Sequence, residues 1–128
     1  MRPLIRNYKI PSSVKLNKAG DVIEIQSYGV VTKENIAESI TKIKELNANT
    51  TVSKILVDTT KQEKLRDAFN LLELAKTFPR GMKVAMLIKE TQPTKKDIHF
   101  VETANLNRGV DVKYFTDINQ AMDWLRNN

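Results

Sequence analysis

The chain has 128 residues, 41% of them apolar and 28% charged, with no cysteine and a formal net charge of +6. This length suits one domain that buries roughly two-thirds of the surface its unfolded form would expose, and no apolar run approaches the ~18 residues needed to cross a bilayer. Disulfides, thiolate metal sites and cysteine nucleophiles are excluded.

The positive charge has a location. Residues 1–20 hold Arg2, Arg6, Lys9, Lys15 and Lys18 and no acid, which leaves 16 bases against 15 acids in the rest of the chain. Residues 1–12 therefore read as a basic arm or edge strand kept in solvent by its charges. Tyr8 is the only aromatic among those bases and no recognition motif is present, so no nucleic-acid partner is expected. The opening "MRPLIRNYKIPSS" interrupts each apolar run within two residues, which does not suit a secretory signal, and a cytoplasmic location is the expectation.

"SVKLN", residues 13–17, alternates in polarity, and after "KAGD" the run "VIEIQSYG" alternates again, so the two predict a hairpin turned at Gly20. Thr32 suits a helix N-cap, Glu34 the first turn, and Ile36, Ile40, Ile43 and Leu46 recur at helical spacing, predicting a helix over about 33–47. Ile55, Leu56 and Val57 form a buried strand that ends in Asp58, Thr59 and Thr60, read as a turn. A second helix follows over about 65–78, ended by Pro79 and Gly81. "KVAMLIK" is apolar almost throughout, as in a strand covered on both faces. A third helix, about 94–107, stops at Gly109. "VDVKYF" makes the last strand, and Thr116 or Asp117 caps a final helix carrying Ile118, Ala121, Met122 and Leu125.

The order β-β-α-β-α-β-α-β-α predicts an α/β domain, residues 13–128, with four helices and a mixed, mostly parallel sheet of four or five strands opened by a hairpin. Three stretches, "GVVTKEN" from Gly29, "ILVDTT" from Ile55 and "NRGVDVKYFTDINQAMDWL" from Asn107, together with that order, resemble the SpoIIAA-like proteins. These are small bacterial domains related to the STAS fold of anti-sigma-factor antagonists and likened to SEC14 domains. The resemblance spans nearly all of the chain from about residue 13. It implies a partner-binding fold and carries no activity with it. Phosphorylatable STAS proteins hold their acceptor serine in an Asp-Ser-Ser-Gly motif at the start of the second helix. The matching stretch here, "LRDAF", offers Asp67 and no hydroxyl or glycine, so a serine-phosphorylation switch is not implied.

No catalytic set assembles from the residues. A phosphate-accepting Asp58 would need an acidic pair at the end of an earlier strand, and that strand offers only Glu24, inside "VIEIQ". His99 is the sole histidine, too few for a metal site or a charge-relay pair. The four glycines lack Rossmann or P-loop spacing, and neither a metal nor a cofactor is expected. Trp124 reads as the lid of a small core.

What remains is a non-enzymatic binding module. The second helix, with Leu65, Ala68, Phe69, Leu71, Leu72, Leu74, Ala75 and Phe78, carries more apolar surface than one core-facing stripe requires. With the adjoining strand end, this makes Asp58, Thr59, Thr60, Arg66, Asp67, Leu71, Leu74 and Phe78 the expected contact surface for a protein partner or a second copy. The alternative, suggested by the SEC14 likeness, is a carrier of a small apolar ligand held among Phe69, Phe78, Met82, Met86 and Phe100.

Overall fold

The structure, a computed structural model, describes residues 12–29, 33–62, 78–89, 99, 102–103 and 109–127. Strands β1 (Ser12–Leu16), β2 (Ile23–Gly29), β3 (Lys54–Gln62), β4 (Lys83–Leu87) and β5 (Asp111–Phe115) lie side by side in chain order in one sheet. The sheet is mixed, as β1 runs antiparallel to β2 while the other pairings are parallel. Helices α1 (Lys33–Thr50) and α2 (Ile118–Arg126) are the two among the described residues, where four were expected. The expected second helix lies outside them except for Phe78, and the third except for His99, Glu102 and Thr103, which are helical. Residues 1–11 of the basic arm are also outside, and Ser12, assigned to that arm from the sequence, opens β1.

The hairpin is fixed by two residues. Gly20 takes φ +77, the left-handed region in which a Cβ is strained. Asn17 organises the loop around it, its Oδ1 accepting from the amides of Asp21 at 3.0 Å and Val22 at 3.2 Å, and its Nδ2 donating to Asp21 Oδ1 at 2.9 Å. An Asx side chain that satisfies backbone amides two to five residues on holds a turn without help from the core.

Strand alternation then sorts the apolar residues into two layers. Ile23, Ile25, Ile55, Val57, Val84, Met86 and Val112 face α1, which inserts Ile40 and Ile43, and Phe78, Met82 and Val110 complete that cluster. Leu56 and Ala85 face the other way and meet Ala121 and Leu125 of α2 and Val22, with Phe115, Met122 and Trp124 over them. Trp124 is thus the lid that the sequence suggests, its ring 5.6 Å from that of Phe115. Ile118, expected in the same core stripe, is half exposed at the first turn of α2, where the helix has not yet reached the sheet.

The start of α2 and the end of α1 have local causes. Asp117 caps α2, its Oδ1 accepting from the amides of Asn119 and Gln120 at 2.7 and 3.1 Å. Helix α1 runs three residues past its expected end, because Thr50 Oγ1 donates to the Leu46 carbonyl and Asn47 Nδ2 to the Val52 carbonyl at 2.8 Å. Thr51 then stops it at φ 60, a conformation that glycine fills more readily.

The C-terminal end of α2 rests on a cation. The Lys83 ammonium donates to the carbonyls of Trp124 and Leu125, the latter at 3.5 Å, and lies 4.3 Å from the centroid of the Trp124 ring. Burial pushes this lysine below its ordinary pKa, neighbouring Asp111 works in the opposite direction, and Lys54 adds to the lowering. A positive charge among the last carbonyls of a helix and over an indole face stabilises both.

Candidate functional site

Parallel strands bring their carboxyl ends to one side of a sheet, the usual position for ligands of open α/β folds. Here β3 reaches furthest. Its pairing with β4 ends at Asp58 opposite Leu87, while its pairing with β2 continues to Lys61 opposite Tyr28 and Gln62 opposite Gly29. The expectation of a turn at Asp58-Thr59-Thr60 is therefore corrected, because the three residues belong to the strand. The reason is nonlocal. Strand β2 extends polar residues as far as Gly29 and offers a partner to them, and a bulge between Gln26 and Tyr28 gives β3 one residue more than the strand beside it.

Strand alternation then places the side chains. Asp58 Oδ1 accepts from the Thr60 amide at 2.9 Å and from Thr60 Oγ1 at 2.6 Å, so the acid serves a nearby backbone donor, as the sequence reading has it, but within a strand. Gln26 Nε2 donates to the Asp58 carbonyl at 3.3 Å across the β2–β3 pair. Thr59 points to the opposite face, 1% exposed, and its Oγ1 donates to the Leu87 carbonyl at 2.8 Å, where β4 leaves the ladder. Lys61 is exposed, its ammonium 5.8 Å from the Tyr28 ring centroid. The rim thus offers half-buried hydroxyl, carboxamide and carboxylate groups, one aromatic ring and one exposed cation. Such a set can offer hydrogen bonds to a ligand, and its carboxylate is already engaged by its neighbour's hydroxyl.

Of the expected contact surface, the structure brings Asp58, Thr59 and Thr60 together, with Thr59 turned inward. Arg66, Asp67, Leu71 and Leu74 lie outside the described residues. Phe78 is a correction: it is 6% exposed and belongs to the core beside Met82 and Val110. Of the expected ligand-lining set, Phe78, Met82 and Met86 pack into the same core, and Phe69 and Phe100 lie outside the described residues. His99 is exposed. Gln26, Tyr28 and Lys61 are rim residues that sequence reasoning missed. The signal was present in "EIQSY", where Glu24, Gln26 and Tyr28 recur at period two on the face that α1 does not cover.

Among the described residues no group of three His, Asp or Glu side chains is placed to hold a metal ion, and no helix is long and apolar enough to cross a membrane. Arg126, whose Nε is 2.8 Å from Asp21 Oδ2, holds the Asp21 carboxyl at about 2, helped by the Asn17 hydrogen bond. Burial pushes the Tyr114 phenol above its usual range and the charge of Glu102 adds to it, while Glu102 Oε2 accepts from the Tyr114 amide at 2.8 Å on the outer edge of β5.

No family model and no curated protein matches the sequence. A solved structure is similar in fold: an uncharacterized DUF3478-family protein from Shewanella loihica, described as having a SpoIIAA-like fold, superposes with a TM-score of 0.57 at 19% identity, over 89% of this chain and 93% of that one. The fold is SpoIIAA-like. The sequence resemblance drawn from three short stretches and the order of elements is met at the level of architecture. In this SpoIIAA-like sheet the β2–β3 rim lies at the carboxyl ends of the parallel strands.

Proposed function

We propose that this SpoIIAA-like domain is a non-enzymatic, cytoplasmic binding module that recognises another protein, its own copy included, through the β2–β3 rim and the apolar segment that follows it. The observation that carries the reading is the overhang of β3. Past Asp58 the strand has β2 on one side and, among the described residues, no ladder partner on the other. An unpaired strand edge supplies backbone donors and acceptors to an incoming chain, and flanking side chains supply selectivity. Tyr28, Thr60 and Lys61 flank it here. Arg66, Asp67, Leu71 and Leu74 belong to the same proposed surface on sequence grounds.

Light scattering tests the reading. The wild-type chain is expected to give a mass above that of the monomer, and Lys61→Glu, a change at an exposed side chain that leaves the core untouched, is expected to lower it. A wild type that stays monomeric at every concentration removes self-association from the proposal. The apolar-ligand carrier gains no support from the described residues, since Phe78, Met82 and Met86 are 2–6% exposed and pack against the isoleucines and valines of the core.

A further inference from the structure

We draw no further inference here: the strongest candidate, the polar face of β1 and β2 turned away from α1 and lined by Ser13, Lys15, Glu24 and Gln26, has no helix over it among the described residues, and nothing in the structure shows what covers it.

Discussion

Leu125→Ala tests the two-layer architecture at its thinner side. Among the described residues, Leu125 is fully buried and sits in a cluster of five, with Val22, Leu56, Ala85 and Ala121, against twelve in the cluster under α1. Truncating a buried leucine costs the transfer of the lost carbons plus the cavity left behind, and measured values run from about 2 to 5 kcal/mol. The small cluster gives few neighbours that can move into the gap, yet α2 is a short terminal helix that can settle toward the sheet. A loss of about 3 kcal/mol follows, equivalent to a fall in Tm of roughly 12 °C at this chain length. Urea denaturation followed by the fluorescence of Trp124, the only tryptophan, and by far-UV circular dichroism measures it. Ile118→Ala on the same helix is the control, since that side chain is 50% exposed and its loss is expected to change stability by no more than ~0.5 kcal/mol. If Leu125→Ala costs no more than Ile118→Ala, α2 does not seal the second face of the sheet and the layer assignment is wrong.

The Asp21–Arg126 pair ties the hairpin loop to the end of α2 and sets a pH dependence. With its carboxyl held at about 2, below its ordinary value of 3.8, Asp21 stabilises the fold above pH ~3.8, and the contribution disappears as pH falls through 2. A carboxyl NMR titration of Arg126→Ala should show the Asp21 midpoint moving up toward 3.8, and an unchanged midpoint would mean that the pair does not form in solution. Thr51 at φ 60 bears a left-handed strain of about 1–2 kcal/mol, part of which glycine's larger unfolded-state entropy takes back. Thr51→Gly should therefore raise stability by about 0.5–1 kcal/mol in thermal denaturation, whereas a loss would show that the threonine contacts at the end of α1 outweigh the strain.

The parts legible in the sequence are those with local causes. Gly20 and the alternation around it define the hairpin, Asp117 is the cap of α2, and Ile40 and Ile43 at helical spacing mark the buried side of α1. What escaped depends on neighbours distant in the chain. The tail of β3 is a strand because β2 supplies a partner 32 or 33 positions earlier, and three polar residues after an apolar run carry no local sign of that partner. Phe78 ends an apolar-rich segment, so pattern alone does not separate a core residue from a surface one, and the contact with Met82 and Val110 that decides it is tertiary. Lys83 opens an apolar strand and looks like a solvated strand start, yet its partners are carbonyls more than 40 residues away. Of the candidate site, Asp58-Thr59-Thr60 was found from its place after a buried strand, but the division into rim (Asp58, Thr60) and core (Thr59) follows from strand alternation, which a turn does not impose.

The most direct test of protein recognition at the β2–β3 rim is a dilution series of amide NMR spectra on the wild-type chain. The account predicts that the Tyr28, Thr60 and Lys61 resonances move with concentration while those of α2 stay fixed. Movement confined to α2, or none at any concentration, would contradict self-recognition at this rim.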